Sequence, residues 1–193
     1  MEELQYVGFP PAWSTLERES KEAQFSMASE PLLGALLRVL AASRPGGRIL
    51  ELGTGTGLAT AWLLDGMASD ASLVSVDHDA GVQRIAALTL GADPRLTLVA
   101  EDGAAFLQRQ TPRSFDLVFA DAMPGKYEAL DAALAVVKPG GFYVVDDLLP
   151  QANWPEGHAA KVPLLIGQLA AHEEFSIVPM AWASGVVIAV RKQ

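Results

Sequence analysis

Short apolar runs and amphipathic stretches take turns along this chain. Strand-sized runs rich in branched and aromatic residues fall at 48–52, 72–77, 95–100, 115–121, 142–147, 175–179 and 185–190. Between the first six lie stretches with helical spacing of apolar residues, at 58–67, 80–90, 103–109, 127–137 and 158–171. Near-continuous apolar strands joined by helices predict a mostly parallel sheet covered on both faces. Only residues 180–184 separate the last two runs, too few for a crossover, so these two are expected to form an antiparallel hairpin at the sheet edge. The expected fold class is α/β: a doubly wound seven-stranded sheet, mostly parallel with an antiparallel last strand, helices on both faces.

Ahead of the first strand, Leu32, Leu33, Leu36, Leu37 and Leu40 make an apolar helical stripe. Ser29 is the expected N-cap, Pro31 suits the first turn, and Pro45-Gly46-Gly47 ends the helix. Residues 1–25 read as an N-terminal arm or short helix. With no repeat, low-complexity segment or linker, residues 1–193 are expected to form one domain, an arm at 1–25 and a core at 26–193.

Composition narrows the classes of function. Half of the residues are apolar, as in a globular domain rather than a disordered one. The formal charge, 14 − 23 = −9, argues against a broad nucleic-acid or anionic-membrane surface. With no cysteine, disulfides and thiolate metal sites are excluded. The first residues lack the basic and apolar regions of a signal peptide, and no apolar run approaches the roughly 20 residues of a membrane span. A cytoplasmic location is expected.

The most informative stretch is 48–57, Arg-Ile-Leu-Glu-Leu-Gly-Thr-Gly-Thr-Gly. A buried strand runs into glycines 53, 55 and 57, and a helix pattern follows at once. Such a turn lets a ligand approach bare backbone, and the helix start offers free N–H groups. Ligands of open α/β sheets lie at the carboxyl ends of the strands. The other strands end at Asp77, at Glu101-Asp102-Gly103, at Asp121 and at Asp146-Asp147. Acids therefore gather on one rim. The dinucleotide fingerprint Gly-x-Gly-x-x-Gly does not fit: counted from Gly53 its last position is Leu58, and counted from Gly55 it is Thr60.

Glu51-x-Gly53-x-Gly55-x-Gly57, followed by Asp77 at the end of the second strand, resembles the class I S-adenosylmethionine-dependent methyltransferases. The stretches Phe115-Asp-Leu-Val-Phe-Ala-Asp121 and Lys138-Pro-Gly-Gly-Phe142 match that family's signatures, and the resemblance covers residues 26–193. It implies a Rossmann-like sheet with S-adenosyl-L-methionine as cofactor. On it, Glu51, Gly53, Thr54, Gly55 and Gly57 form the cofactor turn, and Asp77 holds the two ribose hydroxyls. Asp102 and Gly103 meet the adenine end, with His78 as a neighbour of the ring.

Within that class the chain is similar to the small cation-dependent O-methyltransferases of catechol and caffeoyl-CoA type. That resemblance implies Asp121, Asp146 and Asp147 as ligands for Mg²⁺ or a similar divalent cation, with Asp121 also beside the cofactor. Hard oxygen donors on one rim suit such an ion, which would lower the pKa of a bound hydroxyl. Met27, in Met27-Ala-Ser-Glu30, matches the family's entry segment that touches the cofactor. Departures are plain. The family's Asn is Asp147 here. Its lysine base falls on Pro124, so Lys126 is the catalytic candidate alongside Asp121, provided its Pro-Gly turn folds inward rather than toward water. No acid lies between Phe175 and Arg191 to anchor a catechol. His158 is a second candidate base, weighed against a plain place in the first turn of its helix.

The acceptor pocket is expected between the N-terminal arm, the loop after the fourth strand, residues 148–157 and the final hairpin, with Trp13, Met123, Trp154 and Trp182 as walls. The resemblance implies a hydroxylated small-molecule acceptor, no nucleic-acid or membrane partner, and a homodimer. Two alternatives stay open: a metal-independent methyltransferase acting on nitrogen or another small-molecule group, and a cofactor-binding protein without catalysis.

Overall fold

The computed structural model describes residues 3–154 and 156–193. A 3₁₀ turn at Glu3–Tyr6 precedes α1 (Trp13–Glu22) and α2 (Pro31–Ala42). Then follow β1 (Arg48–Leu52), α3 (Leu58–Gly66), β2 (Ser72–Asp77), α4 (Ala80–Leu90), β3 (Leu96–Ala100), α5 (Gly103–Gln108) and β4 (Phe115–Ala120). The short turn α6 (Met123–Lys126), α7 (Leu130–Ala135), β5 (Val137–Val145), α8 (His158–Ala171), β6 (Phe175–Met180) and β7 (Val186–Arg191) complete the chain. The strands form one sheet in the order β3-β2-β1-β4-β5-β7-β6. β7 runs antiparallel to both neighbours and slots between β5 and β6. This is the expected doubly wound sheet with its closing hairpin.

Period-two alternation in the strands sends side chains to opposite faces. Ile49 joins Leu16, Leu33, Leu37 and Leu63 in a core under α1 to α4. Leu50 and Leu52 join Phe106, Leu134, Leu165 and Leu169 in a second core under α5, α7 and α8. Burial on this scale is the main stabilising contribution, at about 25 cal/mol per Å² of apolar surface.

Three differences from the sequence expectation bear on the site. Ser29 is not the N-cap of α2; Glu30 takes that place with no side-chain cap bond, because the Ser29 hydroxyl is drawn away to Asp121. The helix expected at 127–137 is reduced to α7, Leu130–Ala135, since its N-cap Ala129 is left-handed and β5 already begins at Val137. β5 starts early, at Val137, because Val137 pairs with Phe115 before a register shift.

The parallel register aligns the strand ends. Leu52 lies opposite Val76 and Ala120, and Ala120 lies opposite Val145. The next residues, Gly53, Asp77, Asp121 and Asp146, therefore emerge side by side on one rim.

Candidate active site

The glycine turn is fixed by backbone geometry. Gly53 has φ +102°, and a Cβ there would lie 2.5 Å from the carbonyl oxygen of Asp121. Only glycine allows β1 and β4 to end this close together. The Gly55 N–H donates to Asp77 Oδ2 at 2.8 Å, and the Asp79 N–H donates to Oδ1 at 2.9 Å. Asp77 thus spans the turn, and each of its oxygens keeps a lone pair for a further donor.

Above this turn lies a cavity of about 470 Å³. Of the residues expected at the cofactor, Met27, Gly53, Thr54, Gly55, Asp77, His78, Asp102, Gly103 and Asp121 all line it. Asp102 caps α5, its Oδ1 accepting from the Ala105 N–H at 2.8 Å. Phe25 is also on the wall, with no sequence signal to mark it; it stands 3.0 Å from where a Gly55 Cβ would be.

Glu51 and Gly57 are placed elsewhere. Gly57 is the N-cap of α3, and a Cβ on it would press on the Ala86 Cβ at 2.7 Å. Glu51 is fully buried beneath the turn, because alternation in β1 points it at α3. Its Oε2 accepts from Thr60 Oγ1 at 2.6 Å and Ser75 Oγ at 2.5 Å. Ser75 Oγ and Thr54 Oγ1 share a bond of 2.6 Å, and Gln83 Nε2 donates to Thr54 Oγ1 at 3.0 Å. This chain of polar groups anchors the turn from below. Burial pushes the Glu51 carboxyl up to about 8, against the pull of the Ser75 and Thr60 hydroxyls.

A smaller cavity of about 250 Å³ adjoins the first. Both are lined by Met27, Ala28, Ser29, Asp121, Ala122 and Met123. Its far side carries Lys126, Tyr127, Asp146, Trp154, His158 and Ser184. Lys126 points inward, with only 4 % exposure. Asp121 accepts from Ser29 Oγ at 2.9 Å. Burial raises both carboxyls above the usual range, Asp146 strongly, and the Asp121 charge adds to the rise at Asp146. Tyr127 Oη and His158 Nε2 are 3.0 Å apart, and the Trp154 ring lies 4.5 Å from the His158 ring. Burial, then the Lys126 charge, hold His158 below the usual imidazole range, so it is neutral at pH 7. Asn153 Nδ2 donates to Ser26 O at 2.9 Å, tying the loop after β5 to the segment before α2.

Asp121, Asp146 and Asp147, expected as cation ligands, all line the small cavity. Asp147 lines the small cavity from a left-handed backbone, φ +62°. Among the described residues no three His, Cys, Asp or Glu side chains are grouped to hold a metal ion. The Lys126 ammonium faces Asp146 Oδ1 instead, at 4.0 Å. Two expected walls are also displaced. Trp13 packs on Phe9 and Trp62 with ring centroids 5.3 and 5.7 Å away, and Trp182 reaches Glu3. Met123 and Trp154 do line the small cavity.

Comparison with known proteins gives this geometry a family. A family model described as a methyltransferase domain matches residues 50–148. A Mycolicibacterium vanbaalenii protein with the provisional name O-methyltransferase is 37% identical over 123 residues, 61% of this chain and 54% of its own length. One of Mycobacterium avium with the same name is 32% identical over 176 residues, 85% of this chain and 78% of that one. Among solved structures, the O-methyltransferase TomG of Streptomyces achromogenes, involved in tomaymycin synthesis and in complex with SAM, is 24% identical and has a TM-score of 0.81. That match covers 97% of this chain and 92% of TomG and speaks to the fold. The chain belongs to the methyltransferase-domain family. It spans a little over half the length of the vanbaalenii relative. No helix among the described residues is long and apolar enough to cross a membrane.

Proposed function

We propose that this chain is an S-adenosylmethionine-dependent methyltransferase that acts on a hydroxyl of a small molecule. The observation that carries the reading is the junction of two cavities at Asp121, one walled by the glycine turn and Asp77, the other by Lys126, Asp146 and His158. S-adenosylmethionine, when bound, supplies an electrophilic methyl group on a positively charged sulfur. The name carried by the mycobacterial relatives and the SAM complex of TomG support both donor and reaction.

The residues of the larger cavity fit the donor. Asp77 offers two acceptor oxygens to a ribose diol, and Asp102 Oδ2 is left for an exocyclic amino group. Gly53, Thr54, Gly55 and Gly103 let the cofactor lie on backbone, with His78 and Met27 at its edges. Asp121 sits where donor and acceptor meet and orients the acceptor, together with Lys126. The aromatic rings of Trp154 and Tyr127, with the Met123 thioether, suit a flat or partly apolar acceptor. Holding both reactants in line is the main contribution such a site makes to methyl transfer.

The residues present do not fit a divalent cation as they are arranged. Mg²⁺ needs near-octahedral oxygen ligands at about 2.1 Å, and the buried Lys126 ammonium already opposes a second positive charge beside Asp146. No step is assigned to an ion. A cytoplasmic location and a homodimer belong to the same reading; sedimentation velocity tests the dimer.

The functional test is a screen of catechols, flavonoids, sugars and amines, read by release of S-adenosylhomocysteine. Turnover on a hydroxylated acceptor is expected. Turnover on amines alone would move the reaction to nitrogen. Cofactor binding with no turnover on any acceptor would leave a binding protein without catalysis.

A further inference from the structure

The turn that carries Lys126 is forced inward. Gly125 has φ +87°, and a Cβ there would meet Leu52 Cδ1 at 2.4 Å, so the turn is pressed against the end of β1. Tyr143 Oη, itself buried, donates to the Gly125 carbonyl at 2.7 Å. The Gly125 N–H donates to the Glu128 carbonyl at 2.6 Å. With the backbone held this way, the Lys126 side chain is 5% exposed and its Nζ stands 4.0 Å from Asp146 Oδ1. Among the described residues no donor bonds to that oxygen, although it is buried. Ser184 Oγ reaches the other oxygen, Oδ2, at 3.5 Å.

An ammonium and a carboxylate buried together yet out of contact is a costly arrangement. A direct N–H···O bond is about 2.9 Å long, so the gap is too wide to be one. It has the width for a single oxygen atom bonded to each side at about 2.8 Å. That atom must accept from Nζ and donate to Oδ1. A hydroxyl does both. A metal cation accepts nothing from an ammonium and is repelled by it. Both groups line the small cavity, next to Asp121, where it joins the large one.

We infer that Lys126 takes the part of a divalent cation in this chain: Lys126 Nζ and Asp146 Oδ1 bracket the acceptor hydroxyl, and methyl transfer proceeds without a metal. This rests on the methyltransferase reading above. The hydroxyl oxygen uses a lone pair to form the new bond to the methyl carbon. The sulfur–methyl bond breaks and its electron pair returns to sulfur, leaving a neutral thioether. The O–H electrons stay on oxygen, and the proton passes to Asp146 Oδ1 in the ionised form of that carboxyl, which is a stronger base for being held above the usual carboxylate range. One positive and one negative charge are thereby cancelled, while Lys126 keeps its proton and stabilises negative charge developing on the oxygen.

The test is a titration with Mn²⁺ alone, followed by calorimetry and by the electron paramagnetic resonance of free Mn²⁺. It uses the full chain, wild type and Lys126→Ala. Wild type is expected to show no stoichiometric site. Lys126→Ala, with its acidic oxygens released from the ammonium, is expected to bind Mn²⁺ tighter than wild type by about tenfold or more. With an acceptor found in the screen, wild type is expected to keep its rate in EDTA. Lys126→Ala is expected to lose about 100-fold in kcat and to regain part of it with Mn²⁺, a rescue that a merely structural lysine would not allow. Stoichiometric Mn²⁺ binding by wild type, or loss of its turnover in EDTA with recovery on adding Mg²⁺, overturns the inference. The wild-type titration needs no variant and no turnover, so it remains decisive even if Lys126→Ala misfolds. A chain without methyl transfer would fail the acceptor screen instead, so the two failures are distinguishable.

Discussion

The two halves of the proposed site are built from different material. The donor side is mostly backbone: glycines, helix starts and one carboxylate that spans the turn at Gly55 and Asp79. The acceptor side is side chains: Lys126, Asp146, Tyr127, Trp154 and His158 drawn from segments far apart in the chain. Backbone sites are set by local chain geometry and tolerate little variation. Side-chain sites change character with a single residue. On the methyltransferase reading, the contrast would let one fold keep its donor while the acceptor varies.

The largest effect that separates the halves is expected from Gly125→Ala. A Cβ at positive φ against Leu52 would destabilise the fold by about 2–4 kcal/mol and push the Lys126 turn outward. Urea unfolding reads the loss. At a protein concentration and temperature where the variant is folded, S-adenosylmethionine affinity should stay close to wild type while turnover collapses. Equal loss of both would mean that the halves are not independent.

Tyr127→Phe comes next. It removes the hydroxyl that meets His158 Nε2 at 3.0 Å and leaves the ring in place. Acceptor turnover is expected to fall by about tenfold, with cofactor affinity unchanged in calorimetry.

Glu51→Gln probes the donor side through pH. The folded-state pKa, about 8, lies above the ordinary 4.5. Between those values the folded chain holds a proton that the unfolded chain releases. The stability contribution is therefore full below about 4.5 and is lost as pH rises through about 8. Glutamine has no proton to lose. The variant's melting temperature should fall less than that of wild type across this window, and parallel curves would contradict the assignment.

The smallest effect is expected from Ser29→Ala, which removes one hydrogen bond to Asp121 at the boundary of the two cavities. A loss of about 1 kcal/mol should show in turnover and in cofactor affinity alike, since Ser29 lines both sides.

The same contrast decides what is legible in the sequence. Apolar runs on two faces of a parallel sheet mark the strands to within a residue or two, except where Val137 extends β5 through a register shift. The wall of the larger cavity is legible because local patterns carry it: spaced glycines, Asp77 at a strand end, Asp102 ahead of a helix. Glu51 misleads, since the residue that marks the motif points by alternation to the support beneath the turn rather than to the cavity. The acceptor side is less legible because it depends on contacts distant in sequence. Lys126 turns inward only because Gly125 is pinned between Leu52 and Tyr143. Ser29 leaves its capping position for Asp121, 92 residues on. His158 stands out as a candidate in the sequence, but the signal that raises it above an ordinary helix residue, Tyr127 on one side and Trp154 on the other, is tertiary. Trp13 and Trp182 are expected in the pocket from chain position alone, and the packing of the N-terminal segment claims them.

The central claim is that the donor lies against Asp77. Titration calorimetry of S-adenosylmethionine into wild type and Asp77→Ala, with a melting curve of each chain without ligand, tests it most directly. Saturable binding by wild type, weakened by about 100-fold in the variant through loss of charge-assisted hydrogen bonds, with both chains folded, is the predicted result. Equal affinity in the two folded chains, or no binding by wild type, would contradict it.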